Sequence, residues 1–184
     1  VYVCGKEIGH DPIGTKSHIG FLPQQPPVYG EMTVTEYLRY AAELRGVRRE
    51  DLTHQTERAM ELCKLTNFRH RLIRNLSGGF RQRVGIAQAI IHQPDIVIFD
   101  EPANGLDPVQ MVEIRNLIRE VAREHTVIFS THILPDIQEI CDHILMIEQG
   151  KLVFNDSIEK FNSAITPDSI FITLRNAPST SLLE

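Results

Sequence analysis

Two adjacent carboxylates, Asp100 and Glu101, close the apolar run Ile96-Val97-Ile98-Phe99, and this junction is where the chain is best placed to do chemistry. Such a run reads as a strand buried on both faces of a parallel sheet, with its carboxyl end opening onto the crevice where α/β folds hold ligands. Acids placed there can manage a metal ion and a water beside a phosphate. Alternate strand side chains point to opposite faces, and Glu101 lies where the strand gives way to a loop, so the two acids should differ in role. Asp100 is assigned to Mg²⁺, through water, and Glu101 to orienting and deprotonating an attacking water. For each, the plainer alternative is a polar strand end.

Three further positions share this chemistry. His132 follows the strand-like Thr126-Val127-Ile128-Phe129-Ser130, so it should reach the same sheet edge as Glu101, where an imidazole can donate to phosphate and keep a glutamate aligned. Ser77-Gly78-Gly79 precedes a helical run from Phe80 to Ile91. Glycines there let backbone amides approach an anion, the helix start adds partial positive charge, and Ser77 adds a hydroxyl; the alternative is a serine N-cap with flexible glycines. Gln24 leaves a short strand, His18 to Pro23, with an amide able to ligate Mg²⁺; Gln25 competes for that role. A Gly-x-x-x-x-Gly-Lys-Ser/Thr phosphate cradle does not occur, and Gly5-Lys6 is followed by Glu7.

The elements that must hold these residues show in the local pattern. Val1 to Ile8 reads as a strand and turn already in progress. Thr33-Val34-Thr35-Glu36 is a capping box, and Val34, Tyr37, Leu38, Ala41 and Leu44 recur at helical spacing up to Gly46. A second helix is expected from about Arg49 to Leu65. Asp107-Pro108 forms an N-cap and first-turn pair for a helix whose stripe is Ile114, Leu117, Ile118, Val121 and Ala122. From Ile96 onward, strands and helices alternate through Ile144 to Ile147, which predicts βαβ units and a parallel sheet. Gln149-Gly150 suggests a hairpin, and Ile170 to Leu174 a further strand after a polar link.

Composition narrows the class. The chain has 184 residues, 42% of them hydrophobic and 23% charged, with a formal charge of -5, which suits a folded domain and leaves no global footprint for nucleic acid. Cys4, Cys63 and Cys141 show no paired spacing, so neither a disulfide framework nor a zinc site is suggested, and a reducing cytosol fits best. No apolar stretch approaches the roughly 20 residues of a membrane-spanning helix.

Taken in order, these residues resemble the nucleotide-binding domain of ABC transporters over nearly the whole chain. Gln24 falls at the Q-loop, Leu76 to Phe80 at the signature, Ile96 to Glu101 at Walker B, Gly105-Leu106-Asp107 at the D-loop and His132 at the H-loop. Phe80-Arg81-Gln82-Arg83-Val84-Gly85 looks like the export-type ATPases that serve separate ABC-2 membrane subunits. Phe80 stands where glutamine is usual, and Ala103 where threonine is common.

The resemblance implies an α/β fold, a P-loop NTPase-like parallel sheet core lacking its N-terminal part, with an inserted all-helical subdomain. Its expected divisions are 1–24, the strand region up to the Q-loop; 25–93, the helical subdomain; 94–158, the core; and 159–184, the start of a C-terminal extension. It implies an ATP-hydrolysing subunit that drives transport by separate transmembrane permease subunits, pairs with a second such domain as a homodimer, binds no nucleic acid and lies in the cytoplasm against the cell membrane. Glu101 and His132 would be catalytic, Ser77, Gly78, Gly79, Gln24 and Asp107 would bind nucleotide, and Asp100 and Gln24 would hold Mg²⁺. Because the Walker A motif would lie before Val1, the chain alone is expected to bind ATP weakly and hydrolyse little. Rival readings are a soluble ABC-type ATPase of repair or translation, and a non-catalytic interaction module.

Overall fold

The structure is a computed structural model that describes residues 1–164. It divides into two units, one from Val1 to Ile140 and a second beginning at Cys141.

The first unit opens with a short hairpin, β1 (Tyr2–Val3) and β2 (Lys6–Glu7), then α1 (Pro12–Lys16) and β3 (Ile19–Leu22). Asp11 caps α1 by accepting from the Gly14 N–H at 2.8 Å, with Pro12 in the first turn. This pair repeats the logic of Asp107-Pro108 at the start of a helix of only five residues. Helix α2 (Val34–Leu44) carries the predicted capping box: the Thr33 N–H donates to Glu36 Oε2 at 2.8 Å and the Glu36 N–H to Thr33 Oγ1 at 3.3 Å. Val34, Tyr37, Leu38, Ala41 and Ala42 form its buried face.

Helix α3 (Leu52–Leu62) is shorter at both ends than the expected span from about Arg49 to Leu65. At its start the Arg48 guanidinium takes up the Asp51 carboxylate, Nε to Oδ2 at 2.9 Å, and Asp51 makes no side-chain cap. At its end Lys64 adopts φ +56, so the Lys64 N–H reaches Glu61 O at 3.0 Å and the Leu65 N–H reaches Met60 O at 2.8 Å. This is a Schellman closure with lysine where glycine is usual, and it turns Leu65 fully into the core.

Helix α4 (Gly78–Ile90) is buried on nearly every side from Gln82 to Ile90 and is the axis of the unit. It packs against β3 so closely that a Cβ at Gly20 would lie 2.1 Å from the Ala89 carbonyl oxygen. Strand β4 (Ile96–Asp100), helix α5 (Pro108–Val121), strand β5 (Thr126–Ser130) and helix α6 (Leu134–Ile140) complete the unit.

The sheet is parallel, in the order β3-β4-β5, with Leu22 beside Phe99 and Asp100 beside Ser130. Its α/β architecture, with helices α2 and α3 inserted between β3 and α4, agrees with the expected fold class. Leu22, Val97 and Phe99 are fully buried on one face, but Phe21 and Ile128 on the other are 44% and 52% exposed. The expectation of burial on both faces therefore fails here, because the core cluster contributed by α2 to α5 gathers on the face of Leu22, Val97 and Phe99.

The second unit corrects another expectation. β6 (His143–Glu148) does not extend the parallel sheet; it pairs antiparallel with β7 (Lys151–Ser157), followed by α7 (Ile158–Ala164) where a polar link was expected. The turn explains this, because Gln149 and Gly150 adopt φ +48 and +76, the left-handed pair that folds a chain straight back on itself. The predicted strand Ile170 to Leu174 lies outside the described residues.

Candidate active site

Parallel register brings the chemistry together at the carboxyl edge. Asp100 ends β4 directly beside Ser130, which ends β5. The Ser130 hydroxyl donates to Asp100 Oδ1 at 2.6 Å and accepts the Glu101 N–H at 2.9 Å. One hydroxyl thus holds both a side chain and the next residue's backbone. Glu101 itself has φ +47, a left-handed conformation that costs a non-glycine residue about 1 kcal/mol and is commonly retained at functional sites.

The turn at Glu101 aims its carboxylate at His132, whose Nδ1 lies 2.8 Å from Oε1. His132 is largely exposed and Glu101 half-buried. The hydrogen bond to Glu101, and then its charge, raise the His132 pKa above the ordinary 6.5. Asp136 adds to that rise. It is held in turn by Arg115 of α5, Nε to Oδ1 at 2.6 Å, in a pair that is largely buried. The residues that immediately follow His132 are thereby tied to α5.

Ser77 caps α4, accepting the Phe80 N–H at 3.5 Å, so the plain capping reading of the serine is realised. Gly78 and Gly79 are already helical, and Gly79 lies so close to α5 that a Cβ there would be 2.7 Å from Gln110 Oε1. Asp107 caps α5, accepting from the Val109 and Gln110 N–H groups, each at 3.0 Å. Phe80 turns aside to pack on Phe68, with centroids 4.1 Å apart, and Arg83 lies over its ring.

The predicted residues therefore fall into two groups. Asp100, Glu101 and His132 form one; Ser77, Gly78, Gly79 and Asp107 gather where α4 meets the start of α5, and no described hydrogen bond joins the groups. Gln24 is exposed two residues past Leu22, on the same sheet edge as Asp100, and makes no described hydrogen bond. For Mg²⁺ the donor set is suitable: Asp100 is exposed with one carboxylate oxygen free of Ser130, and Gln24 offers an amide oxygen, both hard ligands. Ser130, Gln110 and Asp136 were missed in the sequence because each acts through a distant partner, 29 positions or more away for Ser130 and Gln110 and 21 for the Asp136 ion pair.

The profile of the ABC transporter family matches residues 3–104, more than half of the chain. The chain belongs to that family. It is 34% identical over 161 residues to the ABC transporter ATP-binding protein NatA of Bacillus subtilis, covering 86% of this chain and 65% of NatA. It is 36% identical over 137 residues to the bacitracin transport ATP-binding protein BcrA of Bacillus licheniformis, covering 73% of this chain and 44% of BcrA. An uncharacterized ABC transporter ATP-binding protein of Bacillus subtilis, YxlF, is 34% identical over 77% of this chain and 48% of its own length. The chain thus spans about half to two thirds of these relatives. Among solved structures, the fold matches the ATP binding subunit of an ABC transporter with a TM-score of 0.73, at 24% identity over 87% of this chain and 67% of that one. It also matches cbiO1 of Clostridium perfringens, part of the complex cbiONQ, with a TM-score of 0.77, at 22% identity over 88% and 64% of the two chains. These likenesses show the fold alone, an α/β core with a parallel sheet. No helix among the described residues is long and apolar enough to cross a membrane.

Proposed function

We propose that the protein is an ATP-hydrolysing subunit that couples nucleotide binding to transport by separate membrane subunits. The observation that carries this reading is the Glu101–His132 pair at the carboxyl edge of the sheet, beside Asp100, in a chain of the ABC transporter family.

The roles follow from position. Glu101 Oε1 is engaged by His132, which fixes the carboxylate and leaves Oε2 to take a proton from an attacking water. His132 keeps that carboxylate oriented, and its exposed ring can also donate to a phosphate oxygen. Asp100 and Gln24 would hold Mg²⁺, which when bound neutralises phosphate charge. Ser77 and the helical Gly78 and Gly79 present a hydroxyl and amide groups at the start of α4, a suitable grip for an anion.

No described bond joins that grip to Glu101, and this supports a sandwich in which the signature of one copy completes the nucleotide site of another. The permease partner, the homodimer and a station on the inner face of the membrane belong to the same proposal, with the helices between residues 25 and 93 meeting the membrane subunits.

The test is Glu101→Gln in a form extended before Val1 to supply the Walker A phosphate cradle, measuring Mg²⁺-ATP binding and hydrolysis separately. Hydrolysis should fall by about 100-fold or more with binding retained. Wild-type hydrolysis in the variant would remove Glu101 as the base, and failure of the extended form to bind ATP would remove the reading itself.

A further inference from the structure

The opposite edge of the same sheet gathers three side chains that the proposed reaction does not use. His18 and Asp95 directly precede the paired residues Ile19 and Ile96, and the Ile96 N–H donates to the His18 carbonyl at 3.0 Å, so parallel register sets their side chains next to each other. Cys4 joins them from the turn between β1 and β2, where it adopts φ +49 ahead of Gly5 at φ +76. Cys4 Sγ, a His18 ring nitrogen and an Asp95 carboxylate oxygen all lie within 4.8 Å of one another. Five strand residues at about 3.3 Å each place this cluster roughly 16 Å from Asp100.

We infer that Cys4, His18 and Asp95 form a binding site for a divalent transition ion of the Zn²⁺ type, with solvent completing the coordination. Thiolate, imidazole and a single carboxylate suit such an ion and do not suit Mg²⁺ or Ca²⁺, which take oxygen ligands. Bond lengths of about 2.0–2.3 Å in a tetrahedron separate ligand atoms by roughly 3.3–3.6 Å. The ligand atoms lie within 4.8 Å of one another, so small side-chain movements bring them to that separation, and the His18 Nδ1 to Asp95 Oδ2 contact, at 2.6 Å, must open. Cys4 and Asp95 are exposed and His18 is half-buried, so side-chain rotation suffices. Cysteine spacing gave no hint of this site, because two of its three ligands are not cysteines and the topology alone assembles them.

Without the ion, one carboxylate serves both donors. Asp95 lies below the usual carboxylate range, chiefly through the hydrogen bond from His18, with a smaller one from Cys4. Lys6 Nζ lies 3.3 Å from His18 Nε2 and can only donate, so that nitrogen accepts and the ring proton sits on Nδ1, facing Asp95. On binding, the Cys4 thiol proton leaves to solvent, the imidazole proton moves from Nδ1 to Nε2, and the exposed Lys6 swings away. The ion then clasps the β1–β2 hairpin to the starts of β3 and β4.

The experiment is a titration of Co²⁺ into the protein with Mg²⁺ in excess, following the thiolate-to-cobalt charge-transfer absorption, then Zn²⁺ to displace it. The Asp100 region holds no thiol and cannot give that band. The band should saturate, disappear in Cys4→Ser and persist in Cys141→Ser. His18→Gln and Asp95→Asn should each weaken binding by about tenfold or more. A band that survives Cys4→Ser, or none at all up to about millimolar Co²⁺, would overturn the inference. Circular dichroism of the metal-free variants, all altered at exposed or half-buried positions, separates loss of the ligand from loss of the fold.

Discussion

Ser130 and Asp100 face each other across the last register pair of β4 and β5, and the Ser130 hydroxyl bonds to both the Asp100 carboxylate and the Glu101 N–H. Two residues assigned to different tasks therefore share one positioning group. Ser130→Ala removes both bonds, each worth about 1 kcal/mol, at an exposed site where water can replace them. The fold should survive with a melting temperature close to that of the unaltered protein. In the form extended to carry Walker A, ATP hydrolysis should drop about tenfold as Asp100 and the Glu101 turn lose their fixed orientation. Hydrolysis at the unaltered rate would show that strand geometry alone positions the acids.

The pH behaviour of His132 follows from its partner. Its pKa in the folded protein is raised above 6.5, first by the hydrogen bond to Glu101. A raised histidine contributes stability that is fully present below its unfolded value and is lost as pH rises through the folded value. The pairing should therefore weaken upward from about pH 6.5 and not toward acid. Proton NMR of the imidazole should show a titration midpoint above 6.5 that moves down in Glu101→Gln. A midpoint unaffected by that substitution would mean that the pair does not persist in solution.

Two glycines predict losses of very different size for the same substitution. At Gly20 an added Cβ meets the Ala89 backbone oxygen at 2.1 Å, which only movement of β3 against α4 can relieve. At Gly79 it meets Gln110 Oε1 at 2.7 Å, the far end of a flexible side chain. Gly20→Ala should destabilise by about 3 kcal/mol, as overpacking against a fixed backbone does, and Gly79→Ala by less than about 1 kcal/mol. Urea unfolding measures both. If the order were reversed, the α4–α5 contact would be the stiffer of the two.

How far the sequence reveals these features depends on how local their causes are. The capping box at Thr33, the Asp107-Pro108 start of α5 and the strands from Ile19, Ile96 and Thr126 each depend on residues within a few positions, and all appear close to where they were expected. Asp11-Pro12 carries the same local cue for α1, but the five-residue helix that follows is too short to show an apolar period. The early end of α3 was hidden because lysine, not glycine, takes the left-handed position at 64. The separate pairing of β6 with β7 depends on the order of strands in space, which alternation does not encode. The partners of the site were hidden for that same reason: Ser130 matters only because register sets it against Asp100, and Cys4 only because a hairpin delivers it to His18 and Asp95.

Asp136 is the least anticipated of these partners, and it governs how firmly His132 is placed. Helix α6 begins two residues after His132, and Asp136 in its first turn meets Arg115 at 2.6 Å with side chains only 4% and 12% exposed. Arg115 also donates to Glu139 at 3.3 Å, but Glu139 is half-exposed and is a weaker partner. Asp136→Ala leaves a mostly buried guanidinium without its main partner, so stability should fall by about 3 kcal/mol. Amide exchange in α6 should rise, and the His132 titration midpoint should fall toward 6.5, since Asp136 contributes to raising it. Replacing both members by apolar residues, Arg115→Met with Asp136→Leu, should recover most of the stability, because the stranded charge causes the loss. If the double variant were as unstable as the single one, packing around α6 and not the ion pair would be what holds the His132 segment against α5.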